Sequence, residues 1–474
     1  MTHPGLLYFG AFGVDAALLH DALAEAMGRG GDFADLYFEH SVSRSLGLED
    51  GAVNRASAGV DLGVGVRVVR GDQTGYAYTE DLNRAAVLQA ARTAAAIADG
   101  PAGTVTQPFR VGTVADRYPV QRPWEQVSTT DKLPLIQQLE QQAWAADPRI
   151  QKVNLYLGDR SGAVMVATSD GDLVFDRQPM TVLSLSCSAA QDGRRESGGA
   201  NIAARDDWSF YTPARLDRLV RDAVSRTTQL FEASPAPAGE MQVVLGAGSS
   251  GILLHEAIGH GLEADFNRKG VSIYAGKIGQ AIASPLVTIV DDATVAHSRG
   301  AINVDDEGNP AGCTHLVEQG VLASYLHDRI SARFYGVQPT GNGRRESFRS
   351  PPLPRMRATY MLPGPHTRDE IIASVQRGIY CDQFANGQVQ IGAGDFSFYV
   401  RSGWLIEDGK LTRPVKDVNL IGNGPKVLEQ IDMVGDDLQI DEGGWTCGKD
   451  GQSVPVSQGM PSVRVRSMTV GGRA

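Results

Sequence analysis

Apolar positions in the first half of the chain switch between two periods. Residues 13–28, 80–98, 130–147 and 212–231 repeat them at helical spacing, which predicts four amphipathic helices. Between these the pattern alternates. VDLGVGVRVV, the pair Gly71-Asp72 and TGYAYTE predict two strands and a tight turn, inside a strand-rich stretch from Asp35 to Tyr78. A second strand set is predicted over about 150–190, turning at Asp170-Gly171. Pro101, Pro108, Pro119 and Pro123 break both periods across 100–127, which reads as an irregular connection. EASPAPAGEM, residues 232–241, has no period and reads as a linker. Beyond it strands and turns dominate. VEQGVL (317–322) and IEDGKL (406–411) are hairpin signals, and SVRVRSMTVGG alternates near the end. Helical spacing survives there only over 249–262 and 367–378.

This distribution predicts an α+β protein of two domains. Residues 1–231 are expected to mix helices with antiparallel sheet, 232–241 to link, and 242–474 to form a mostly antiparallel β domain. That second domain is expected to curl towards a barrel and to carry the 249–262 helix. A length of 474 residues exceeds one ordinary core and agrees with more than one domain.

Composition narrows the function classes. Hydrophobic residues make up 42% and charged residues 21%, the balance of a folded globular chain. The net charge of −11 argues against nucleic-acid and anionic-membrane partners. The first stretch, MTHPGLLYFGAFGVDAALL, has no basic segment and contains Asp15, so no secretory signal is expected. Cys187, Cys313, Cys381 and Cys447 are far apart and form no C-x-x-C, which points to a reducing cytoplasm rather than a disulfide framework.

Two chemical motifs compete for one segment. MQVVL followed by Gly246, Gly248 and Gly251 has the local form of a dinucleotide fingerprint. Its context fails, because Glu263 and Asp265 fall at the helix end and no second strand ending in an acid follows. The other motif is HEAIGHGLEAD, residues 255–265. The metallopeptidase pattern H-E-x-x-H sets two histidines four apart on one helix face, whereas His255 and His260 are five apart. On a regular helix five residues turn about 500°, leaving the rings about 140° apart. A π-bulge would bring them onto one face. A helix end at Gly259 or Gly261 would also serve.

Neutral imidazoles suit zinc, and a catalytic zinc site keeps three protein ligands and one open position. Glu256 adjoins the first histidine and is placed to act as general base beside a water. By spacing, a third ligand is offered by Glu263, Asp265, His297, His315, His327 or Cys447. Cys447 stands out in the polar, glycine-flanked GGWTCGKDGQ, whereas Cys187 sits in an apolar run.

HEAIGHGLEADFNRKG, VDDEGNPAG, PTGNGRRESF, PRMRATYMLPG, VSRSLGLEDG and CGKDGQSVPV together resemble the TldD/PmbA peptidase family along nearly the whole chain. The H-E-x-x-x-H block marks the catalytic branch, since the sister proteins TldE or PmbA lack it. The resemblance implies a zinc metallopeptidase acting on small or unfolded peptides drawn in as extended strands. It implies one zinc per chain on His255, His260 and Cys447, with Glu256 catalytic. It also implies a dimer, either of identical chains or with a TldE/PmbA-like sister subunit. One departure is FANGQ at 384–388, where similar proteins are glycine-rich, close to the substrate path.

Other features are read from the residues alone. RRESFRSPPLPRMR, 344–357, is a basic loop in an acidic chain. Arg344 and Arg345 are candidates to bind a peptide carboxylate, with internal pairing as the alternative. Asp305 to Pro310 reads as an acidic metal loop or a polar turn. His327 and Tyr360 are candidates to stabilise an oxyanion. The competing function class is a non-catalytic binding or assembly subunit with a vestigial metal site.

Overall fold

The structure is a computed structural model that describes residues 3–471 except 107 and 113. Counts of elements below refer to these described residues. In the N-terminal half, strands Phe33–Glu49, Ala52–Arg70, Gln73–Thr79, Ile150–Thr168, Asp172–Gln191 and Arg194–Ala204 build one antiparallel sheet, joined at its edge by the short parallel strand Arg110–Val111. Asp50 and Gly51 both adopt positive φ, 48° and 80°, which is what a two-residue hairpin between twisted strands requires.

One face of this sheet is apolar along its whole length. Leu36, Phe38, Leu46 and Leu48 share a parity on one strand, as do Val153, Leu155, Leu157 and Met165 on its neighbour. Helices Ala16–Met27 and Arg84–Ala95 cover one end of that face; Thr129–Ala146 and Pro213–Thr228 cover the other. Each helix begins where a side chain can satisfy its free amides. Asp15, Asn83 and Thr212 accept from backbone N–H groups, and Ser128 with Asp131 forms a capping box.

In the C-terminal half, strands Gly239–Leu245, Arg377–Gln390, Asp395–Glu407, Lys410–Asn423 and Val463–Gly471 pair in a ring. The last strand pairs with both Gly239–Leu245 and Lys410–Asn423, so the sheet closes into a barrel. All neighbours are antiparallel except Gly239–Leu245 with Arg377–Gln390. The α+β class and the barrel-like second half agree with the sequence pattern. A six-stranded sheet centred on Ile289–Asp292 and Ala358–Met361 lies beside the barrel. The segment 249–262 is buried between them, with Leu253, Leu254, Ile258 and Leu262 in the shared core. Residues 232–241 hold the short strand Ser234–Pro235 and the start of Gly239–Leu245. Among the described residues no helix is long and apolar enough to cross a membrane.

The two halves meet on the opposite face of the N-terminal sheet. Phe348 is fully buried against Tyr37, Val164, Val166, Val174 and Val304. Gly63 and Gly65 face it on the strand Ala52–Arg70, where a Cβ would collide with its ring and its carbonyl. Charges surround this contact. Arg67 donates to Glu307 at 2.6 Å, and Arg349 pairs with Asp61 and Glu80.

Candidate metal centre

The 249–262 segment is not a regular helix. One α-turn, Ile252–Leu254, runs into a π-turn over His255–Gly259 and then a 3₁₀ turn over His260–Leu262. The amide of His260 donates to the carbonyl of His255, the i→i+5 bond that defines the π-turn. The extra residue between the histidines is absorbed there. Their rings lie 4.9 Å apart between centroids and nearly perpendicular, at 85°.

The flanking glycines serve packing rather than backbone freedom. Gly259 keeps an ordinary helical φ of −56°. A Cβ there would strike Met356, and one on Gly261 would lie 2.7 Å from the Tyr274 ring. Gly246 and Gly251 of the fingerprint-like turn are likewise filled in by Tyr380 and Gly459.

Cys447 arrives from the strand Thr446–Lys449, a hairpin with Gln452–Pro455. Its Sγ lies 3.5 Å from His260 Nε2. Donor atoms of His255, His260 and Cys447 all lie within 4.8 Å of one another, and all three residues are buried. Among the described residues this is the one His/Cys/Asp/Glu group with such geometry. His255 Nδ1 is buried without a hydrogen-bond partner. Burial alone would raise the Cys447 thiol, but the imidazoles of His255 and His260 outweigh it and hold the thiol down to about 4. A sulfur anion, an unpartnered ring nitrogen and a second imidazole at this spacing fit one divalent cation.

A second layer of charge fixes the donors. His260 Nδ1 lies 3.1 Å from Glu263 Oε2, the carboxylate–histidine contact that orients a metal-binding ring. Burial alone would raise His260's affinity penalty for a proton, but Glu263 and Cys447 outweigh it and hold its pKa well above the usual value. Glu263 is itself buried. Lys449, then His260, outweigh that burial and hold its carboxyl near 2. Lys449 Nζ reaches Glu263 at 3.1 Å and Asp265 at 2.7 Å. Glu263 and Asp265, two of the possible third ligands, therefore stand behind the donors. Lys449 and Arg355 belong to this layer too. Neither was marked by sequence, where only their basic character is visible.

Glu256 faces a cleft of about 480 Å³ whose walls include Ile252, Phe266, Val389, Ile391, Trp445 and Val456. It is half-buried. Burial pushes its carboxyl up, only partly offset by His255 and His260. FANGQ lies on the strand Arg377–Gln390, and Gln388 lines the cleft. A Cβ on Gly387 would sit 3.3 Å from Glu256 Cγ. The Asn386 side chain is outside the described residues.

The remaining candidates lie elsewhere. His297 meets Asp206 at 3.0 Å and His315 meets Glu318 at 3.2 Å. His327 is buried beside Tyr325 and Tyr335, with burial holding it down at about 4, and Tyr360 donates to Asp292. The reading of Arg344 and Arg345 as carboxylate binders is corrected. Both are buried and neither lines the cleft. Arg344 donates to the carbonyls of Met356 and Pro455, and Arg345 to Asp35 and the Asp306 carbonyl. The acidic loop is spent internally as well. Asp305 accepts from the amides of Glu307, Asn309 and Gly343.

Comparison with known proteins bears on the same residues. Residues 34–98, 122–231 and 238–472 match the first, central and C-terminal domains of PmbA/TldA metallopeptidases. The chain is 44% identical over 448 residues to a metalloprotease TldD homolog of Haemophilus influenzae, covering 93% of each chain. It is 40% identical over 458 residues to a TldD homolog of Buchnera aphidicola from Acyrthosiphon pisum, covering 95% of each. The crystal structure of TldE from Thermococcus kodakarensis superposes with a TM-score of 0.75 at 20% identity, over 93% of this chain and 97% of that one. At that identity the likeness speaks for the fold. With near full-length identity of this order and a converging His-His-Cys cluster, the chain belongs to the TldD/PmbA metallopeptidase family.

Proposed function

We propose that this metallopeptidase hydrolyses short or unfolded peptides with one zinc ion held by His255, His260 and Cys447, and with Glu256 as the proton carrier. The observation that carries this is the convergence of three donor atoms within 4.8 Å beside Glu256 in one cleft. When bound, the metal supplies Lewis acidity, polarising the scissile carbonyl and acidifying a water. Glu256 would take a proton from the attacking water on its carboxylate and return it to the departing amine nitrogen. Glu263 keeps the proton of His260 on Nδ1, leaving Nε2 as the donor.

Trp445 lines both the cleft and a larger groove of about 910 Å³, whose walls include Asn201, Arg218, Asp382, Arg401 and Glu442. An extended peptide is proposed to run along the two. All four cysteines are unpaired, in keeping with a cytoplasmic protein. A dimer, with a TldE/PmbA-like sister subunit or a second copy, is proposed as part of this reading. Sedimentation of the chain alone and mixed with such a sister separates these. A monomer in both would remove the dimer reading.

Stripping the metal with a chelator is expected to abolish peptide hydrolysis, and zinc to restore it. In the metal-free protein Cys447 is expected to be a thiolate at neutral pH. Its folded pKa of about 4 lies below the ordinary 9.0, so the far-UV thiolate absorbance persists down to about pH 4 and fades below it. A signal absent from Cys447→Ser at neutral pH identifies it, since burial holds the Cys187 and Cys313 thiols up at about 11. Thiolate absorbance that appears only near pH 9 would contradict the geometry.

A further inference from the structure

The segment Leu353–Met356 runs behind the metal centre. The Pro354 carbonyl accepts from Lys449 Nζ at 3.2 Å, and Met356 packs on Gly259 of the π-turn. Arg355, between them, is fully buried. Its Nη2 donates to Cys447 Sγ at 3.1 Å and to the Cys447 carbonyl at 2.8 Å. Its Nε lies 3.8 Å from Glu263 Oε1. Its backbone is held as well, since its amide donates to the Asn342 carbonyl at 2.9 Å and its carbonyl accepts from Asn342 Nδ2 at 3.0 Å.

A buried guanidinium in contact with a sulfur anion has two effects. One nitrogen of the planar guanidinium fork, Nη2, binds sulfur and carbonyl of one residue together, which fixes the Cys447 side chain towards the histidines. The positive charge also draws electron density from the sulfur, so the sulfur donates less to a bound cation. A lysine offers one ammonium without the fork and reproduces the charge better than the geometry.

We infer that Arg355 is a positioning residue for Cys447: it locks the sulfur in its ligating orientation and weakens its donation, which keeps a bound divalent cation electron-poor. This rests on the metal-site reading above. It assigns to the PRMR stretch a role in the metal's outer environment in place of peptide binding. Outer contacts of this kind typically contribute about 10–100-fold to metal affinity.

The test loads the full-length wild type, Arg355→Gln and Arg355→Lys with cobalt(II) and records the sulfur-to-cobalt charge-transfer band, with zinc affinity measured by competition against a chelating dye. In Arg355→Gln the sulfur loses its cationic donor and becomes the better donor, so the band is expected to move to longer wavelength. Zinc affinity is expected to fall about 10–100-fold, because loss of the ligating orientation outweighs the stronger donation of the freed sulfur. Arg355→Lys is expected to fall between wild type and Arg355→Gln in both readings. A band at the wild-type position in stoichiometrically loaded Arg355→Gln would overturn the inference. Should the Gln variant not fold, Arg355→Lys decides alone: a shifted band supports the inference and an unmoved band overturns it. Absence of any sulfur-to-cobalt band in the wild type would instead remove the metal-site reading itself.

Discussion

Replacing Glu256 by Gln is expected to remove peptide hydrolysis while leaving the metal in place. Gln keeps the shape of Glu and its place on the cleft wall, but it cannot take up a proton. Glu256 is not among the converging donor atoms, so bound metal is expected to stay at the wild-type level. Proton transfer by a positioned side chain is worth on the order of 10²–10⁴-fold, and kcat for a reporter peptide is expected to drop by that factor. Full activity in Glu256→Gln would show that another base is at work.

The second large effect is on stability, at the contact between the halves. Phe348 fills the space that Gly63 and Gly65 leave open, and it is fully buried. Its amide donates to Glu39 at 2.9 Å and its carbonyl accepts from the Tyr76 hydroxyl at 2.6 Å. The neighbouring arginines are tied to the same sheet, Arg345 to Asp35 and Arg349 to Asp61. Truncating a buried Phe to Ala costs about 3–5 kcal/mol, because the cavity adds to the lost transfer energy. Phe348→Ala is expected to lower the first unfolding transition in urea by about that amount, since the ring is the main apolar contact of this loop. A loss of less than about 1 kcal/mol would mean that the charged pairs carry the junction unaided.

Much of this architecture could be read locally. The helices Ala16–Met27, Thr129–Ala146 and Pro213–Thr228 lie within two or three residues of their predicted bounds, because amphipathic spacing and capping are short-range properties. Hairpins at Gly71 and Gly171 were legible for the same reason, both having positive φ. The short helix Pro4–Gly10 was not, as its few turns carry no clear period. The i,i+5 histidines announced a distortion, but two were open by sequence. The structure contains a π-turn directly followed by a 3₁₀ turn, and the choice depends on Met356 and Tyr274 arriving from distant parts of the chain.

The basic loop marks where local reading fails. Arg345 meets Asp35 across 310 residues, and Arg355 meets Cys447 across 92. A run of arginines in an acidic chain looks available for a ligand until those partners are known. The same holds for Lys449, whose contact with Asp265 spans 184 residues. Ligand types leave a signature in sequence; the charges that tune them are set by the fold.

The central claim is that His255, His260 and Cys447 hold one metal ion together. The most direct measurement is the metal content of purified wild type beside Cys447→Ser, by elemental analysis after zinc is supplied. About one zinc per chain is expected in the wild type, with a clear loss in the variant. Equal metal in both proteins would contradict the role of Cys447, and no metal in either would contradict the site.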